Sequence, residues 1–194
     1  MKIQKTISMI SRNITTVCLL VCLLLFPHET AGAQDNLEYR IKAAFLYNFA
    51  KFVEWPNPDD KGSSAPFVIG VLGDDPFGPE LDAIEQKTIN GRRISIKRFG
   101  TIDDVSVCHL LFFSFEEPEK MKKALRKISN QTILTVGEAE GFAQTGGMIG
   151  FVEKENKIRF EINRAAAASA GLTISSKLLK LAVIVEAEEG NALQ

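Results

Sequence analysis

Phe67-Val68-Ile69-Gly70-Val71-Leu72-Gly73-Asp74-Asp75-Pro76-Phe77-Gly78 decides the fold. Residues 67–73 are apolar without a break, the pattern of a strand covered on both faces rather than one with a wet side. Asp75 then reads as the cap of a helix that has Pro76 as its first residue and runs towards Gln86. A carboxylate accepts from the free amides of a first turn, and proline has no amide to leave unbonded there. A buried strand that turns at once into a helix is the unit of an α/β sheet.

The neighbouring segments extend that unit. Upstream, residues 38–55 are strong helix formers, with Ile41, Phe45, Phe49 and Phe52 at spacings of four, four and three on one face. Pro56 and Pro58 stop this helix, and residues 57–66 form a polar linker with Gly62, Ser63 and Ser64. Downstream, Asn90-Gly91 is a turn and residues 92–99 alternate in strand fashion. Residues 110–115 are the most hydrophobic strand. Pro118 opens a helix carrying Met121, Leu125 and Ile128, and residues 132–136 are a buried strand ended by Gly137. Residues 148–152 and 157–162 flank Glu153-Lys154-Glu155-Asn156 as a hairpin with a four-residue loop. In its second strand Ile158, Phe160 and Ile162 should face the core, and Lys157, Arg159 and Glu161 the solvent. Asn163 caps a short alanine-rich helix stopped by Gly171; residues 175–185 read as a closing helix and residues 186–194 as a frayed tail. The expected fold is an α/β three-layer sandwich. Its sheet is mixed, with mostly parallel N-terminal strands and a C-terminal antiparallel hairpin.

The first 33 residues carry an address. Lys2, Lys5 and Arg12 precede the ten-residue apolar run 17–26; Pro27 breaks it, and Ala31-Gly32-Ala33 is an A-x-A site. The run is shorter than the roughly 20 residues a bilayer crossing needs, so a retained membrane helix is the weaker reading. Cleavage after Ala33 would leave one exported domain over residues 34–194, long enough to build a full core without disulfides or metal. Removing Lys2, Lys5, Arg12 and Glu29 from 23 basic and 24 acidic residues leaves 20 and 23, a net charge of −3. The densest basic stretch, Lys120 to Lys127, falls at helical spacing after Glu116, Glu117 and Glu119, so it reads as a solvated helix face and not as a nucleic-acid surface.

Chemistry-bearing residues are sparse. Cys18 and Cys22 leave with the signal, so Cys108 is the one mature thiol, a buried small residue at a strand start or else a nucleophile. His109 beside it leads into an apolar strand, where a packed histidine competes with a catalytic one. No nucleotide-binding or hydrolase motif is present, no metal-ligand spacing falls on a helix, and no catalytic residue or cofactor is assigned. The best ligand candidate is the carboxyl end of the 67–73 strand, with Asp74 and Asp75 joined by Ser114 and Thr135 at the ends of neighbouring strands. Two acids there would take a cation or an amine; alternatively Asp75 is only the helix cap and Asp74 is solvated. The first helix is the other candidate. Its second face, Tyr39, Ala43, Tyr47 and Ala50, leads to Trp55, the only tryptophan; this face either anchors a partner or is buried like the first.

The order and spacing of three segments resemble the YfiR-like family of exported bacterial proteins. They are Lys42-Ala43-Ala44-Phe45-Leu46-Tyr47-Asn48-Phe49-Ala50-Lys51-Phe52-Val53-Glu54-Trp55-Pro56, then residues 69–78, and a C-terminal set of Gly146-Gly147-Met148-Ile149, Phe160-Glu161-Ile162-Asn163 and residues 170–179. The resemblance covers about residues 39–185. It implies a periplasmic α/β regulator without catalysis that lowers cyclic di-GMP and biofilm formation by binding the periplasmic domain of an inner-membrane diguanylate cyclase or other sensor, and that forms a homodimer. Disulfide-based redox control, a property of the best-known member, would need a second mature cysteine that this chain lacks. On this reading the contact uses Tyr47, Lys51 and Trp55 of the first helix with Arg159 and Arg164 of the hairpin region. The alternative is a periplasmic sensor or carrier whose small-molecule ligand sits at Asp74, Asp75 and Ser114.

Overall fold

The computed structural model describes residues 32–56 and 65–186, with backbone alone over 32–36. Most of the expected signal, residues 57–64 of the linker and the tail beyond 186 lie outside the described residues. The chain runs α1 (Gly32–Phe52), β1 (Val53–Glu54), β2 (Phe67–Leu72), α2 (Pro79–Asp82), a 3-10 turn (Ala83–Gln86), β3 (Thr88–Ile89) and β4 (Arg92–Phe99). A second 3-10 turn (Ile102–Asp104) leads to β5 (Leu110–Phe113), α3 (Pro118–Ile128) and β6 (Leu134–Gly137). The last third is β7 (Ile149–Lys154), β8 (Lys157–Asn163), α4 (Arg164–Ser169), β9 (Thr173–Ile174), α5 (Ser176–Leu179) and β10 (Val183–Val185).

Eight strands form one sheet in the order β10-β8-β7-β6-β5-β2-β4-β3. All neighbours are parallel except β3–β4 and β7–β8. β1 and β9 make a separate antiparallel pair. From β2 the chain steps outward to β4, returns to the other side at β5 and continues to β6 and β7, which is a doubly wound path with its reversal between β2 and β5.

The unbroken apolar runs are explained by two covered faces. Phe67, Ile69 and Val71 of β2, with Leu110 and Phe112 of β5, join the cluster under α1, together with Ala43, Leu46, Phe49 and Ala50. Val68 and Leu72, with Leu111 and Phe113, join a second cluster under α3, formed with Met121, Ala124, Leu125 and Ile128. Gly70 points into that second layer, where a Cβ would stand 2.8 Å from both Leu111 and Phe99. The three-layer α/β architecture with a mixed, mostly parallel sheet and a C-terminal antiparallel hairpin is therefore as the sequence implied.

Several local expectations are corrected. Asp75 does not cap a helix: its carboxylate accepts from the Phe77 amide at 2.8 Å and from Arg98 Nε at 2.7 Å. The helix starts one proline later, at Pro79 after Gly78, whose φ of 51° suits a residue without Cβ. The hairpin loop is two residues, because Lys154 pairs with Lys157. Glu155 and Asn156 both take φ 55°, the primed turn that matches strand twist. Residues 175–185 are not one helix. α5 ends at Leu179, and the β-branched run Val183-Ile184-Val185 pairs in parallel with β8, closing an otherwise bare edge. α1 begins before residue 38 and ends at Phe52, where Val53 and Glu54 turn into β1 against Ile174 and Thr173.

Candidate functional site

The ligand residues read from sequence come together only in part. At the carboxyl ends of β2 and β5, on the sheet's reversal point, lies a crevice of about 510 Å³ lined by Gly73, Asp74, Gly100, Ser114, Phe115, Glu116, Glu117 and Lys120. Asp74 and Ser114 share it. Ser114 Oγ donates to the Leu72 carbonyl at 3.0 Å, and a Cβ on Gly73 (φ 100°) would stand 2.7 Å from that hydroxyl, so glycine lets the turn pass this close. Asp75 is turned away from the crevice towards Arg98, which Asp82 also holds at 2.7 Å; these two carboxylates raise the guanidinium pKa. Thr135 sits inside its strand, where its hydroxyl accepts from the Met148 amide at 3.0 Å.

The five partner residues do not share one face. Tyr47 is half-buried with Lys87 Nζ 4.6 Å from its ring centroid, while Lys51 is exposed. Trp55 packs edge-on against Phe67 at 5.2 Å, and its indole N–H is buried with no acceptor among the described residues. Arg164 is exposed at the start of α4. Arg159 lies on β8 next to Phe160, whose ring packs on Phe45 and Phe49 of α1. Successive side chains leave a strand on opposite faces, so Arg159 is directed away from α1.

A second concavity, which sequence reasoning missed, does combine the first helix and the hairpin. A groove of about 700 Å³ is bounded on one side by Leu37, Ile41 and Phe45 of α1, and on the other by Phe151, Val152 and Ile158 of β7 and β8. Ile41, expected on the core face, is 40% exposed instead. The core side of α1 is set by Ala43, Leu46, Phe49 and Ala50. Beneath the groove is Lys42, only 6% exposed. Its Nζ lies 2.5 Å from Glu38 Oε1 and 2.5 Å from Glu138 Oε2, and 4.6 Å from the Tyr39 ring centroid. Burial pulls the ammonium pKa down, but the hydrogen bonds to Glu138 and Glu38 outweigh it and leave the pKa raised. Tyr39 donates to Glu138 Oε1 at 3.2 Å; burial first, then the Glu138 charge, pushes its phenol up to about 12. The sequence signal was a lysine inside an apolar helical pattern; no local pattern points to Glu138, which lies 96 residues away.

Cys108 and His109 have packing roles. Burial pushes the Cys108 thiol up to about 12, against the opposing pull of nearby backbone hydrogen bonds, so a thiolate is suppressed at neutral pH. His109 stacks on Phe67 at 4.6 Å, its Nδ1 accepts from the Val68 amide at 3.0 Å, and its Nε2 faces Arg92 Nη2 at 3.1 Å. Arg92 in turn donates to the carbonyls of Ala65 and Pro66, both at 2.8 Å, tying the linker's exit to the sheet. Among the described residues no cluster of three or more His, Cys, Asp or Glu is placed to hold a metal, and no helix is long and apolar enough to cross a membrane.

Comparison with known proteins adds the family. A family model described as YfiR/HmsC-like matches residues 39–183, from the first helix to the last strand. Among curated proteins none matches the chain. Members of the matched family are periplasmic, are associated with regulating diguanylate cyclase, and are typically regulatory rather than catalytic. With both the two-faced sheet and the first-helix segment inside the matched range, the chain belongs to the YfiR/HmsC-like family.

Proposed function

We propose that this chain is an exported periplasmic regulator, without catalysis of its own, that restrains an inner-membrane diguanylate cyclase by binding the cyclase's periplasmic domain. The observation that carries this reading is the family match over residues 39–183. The signal-like N-terminus supports export. The buried thiol of Cys108 and the half-buried, hydrogen-bonded imidazole of His109 support a non-catalytic role. Homodimerisation belongs to the same reading, and the exposed Val183 and Ile184 on the sheet's edge strand favour it. Deleting the gene should raise cellular cyclic di-GMP and surface attachment, and the full chain supplied in trans should reverse both. Unchanged levels after deletion would remove the cyclase from the account.

The strand order favours a second reading. Open α/β sheets bind ligands at the reversal point beyond the strand ends, which is where Gly73, Asp74 and Ser114 line their crevice. A thermal-shift screen of amino acids and cofactors should then find a stabilising compound whose effect weakens in Asp74→Ala. Silence across the screen counts against it.

A further inference from the structure

The groove between α1 and the β7–β8 hairpin has a composition that specifies its occupant. Leu37 and Ile41, 48% and 40% exposed, stand one helical turn apart, and Phe45 continues the row. A single exposed leucine needs no explanation; a row facing a second apolar wall across an open groove does. That wall is Phe151 and Ile158, which lie on the α1 side of β7 and β8. Phe45 packs on Phe49, Phe151 and Phe160, but the fold does not need Leu37 and Ile41, since the same helix buries Ala43, Leu46, Phe49 and Ala50 against the sheet.

The charge around this apolar floor is acidic on balance, four carboxylates to two ammonium groups. Glu38, Glu116, Glu138 and Glu153 line the groove against Lys42 and Lys157. Lys42 is held below the surface between Glu38 and Glu138, so it is not available to an incoming anion. Among the described residues neither Glu116 nor Glu153 has an ion-pair partner. An occupant with an apolar stripe flanked by cations satisfies both features, whereas an acidic one meets unpaired carboxylates.

We propose that this groove docks a basic amphipathic segment of the partner's periplasmic domain. Its apolar side chains lie on Leu37, Ile41 and Ile158, and its lysine or arginine side chains meet Glu116 and Glu153. The inference rests on the regulatory reading above and names the surface that reading uses.

The test combines a direct binding assay with complementation. The probe is a labelled Leu/Lys amphipathic peptide of about 18 residues, five helical turns, titrated against the exported chain by fluorescence anisotropy. Saturable binding is expected, weakened at least about tenfold by Ile41→Glu, and likewise by the double reversal Glu116→Lys/Glu153→Lys. Rising salt should weaken it further, and a Leu/Glu peptide of the same pattern should not bind. Ile41, Glu116 and Glu153 are all exposed, so these variants should keep the parent's melting temperature. Equal affinity for wild type and both variants, or for the two peptides, overturns the proposal. In a deletion strain the wild-type gene should restore low cyclic di-GMP and the two groove variants should not. If the variants restore it fully, the groove assignment falls and regulation stands. If wild type itself changes nothing, the regulatory reading falls, and the peptide titration decides the groove alone.

Discussion

Lys42 shows how much one residue carries. A buried ammonium is tolerated because two carboxylates hold it, and removing it strands Glu138, whose side chain is only 18% exposed. Lys42→Ala should therefore cost about 2–3 kcal/mol in denaturant unfolding, discounted because Glu38 is half in solvent. Adding Glu138→Gln should recover part of that loss, since no carboxylate is then left buried alone. The pH dependence has a defined sign. The folded ammonium pKa lies above its ordinary 10.5, so its contribution is complete below that value and is lost as pH rises through the folded pKa. The gap between wild type and Lys42→Ala should thus be constant from neutral pH up to about 10 and close above it. Cys108 makes a complementary case. With its thiol pKa raised to about 12, Ellman's reagent at pH 8 should find no reactive thiol in the folded mature chain and one after unfolding in guanidinium. Prompt reaction in the folded state would contradict the buried assignment.

At the scale of elements, caps and close approaches do the positioning. Asn163 ends β8 and starts α4: its Oδ1 accepts from the Ala166 amide, and its Nδ2 donates to the Ala143 carbonyl, both at 2.9 Å. Asn163→Ala should cost about 2 kcal/mol, because a helix cap and a buried carbonyl lose their partners together. Gly137 faces the Phe142 ring, where a Cβ would stand 2.5 Å from Cδ2, so Gly137→Ala should cost about 1–3 kcal/mol by overpacking. Thermal melts of both variants check these values. Elements defined by local chemistry were legible in the sequence: the Phe67–Leu72 strand, the Asn90-Gly91 turn, the α3 stripe of Met121, Leu125 and Ile128, and the Asn163 cap. Those decided by distant partners were not. Asp75 looks like a cap until Arg98 is placed beside it, 23 residues on. Residues 183–185 look helical until β8 supplies an edge to pair with.

At the scale of the whole molecule, two sheet faces and one reversal of direction shape the crevice and the groove described above, and the sequence revealed them unequally. The crevice at Asp74 and Ser114 was legible because strand ends carry ligands in this class of sheet. The groove was not, because its walls come from residues 37–45 and 151–158, and because Ile41 shares its spacing with true core positions. The central claim, that this family member acts across the inner membrane on cyclic di-GMP, is tested most directly by measuring that nucleotide in three strains: the deletion, the deletion carrying the full gene, and the deletion carrying the gene without codons 2–33. The account predicts a rise on deletion, a return to the parental level with the full gene, and no return when the export segment is missing. A level that is the same in all three strains, or rescue by the unexported chain, would contradict it.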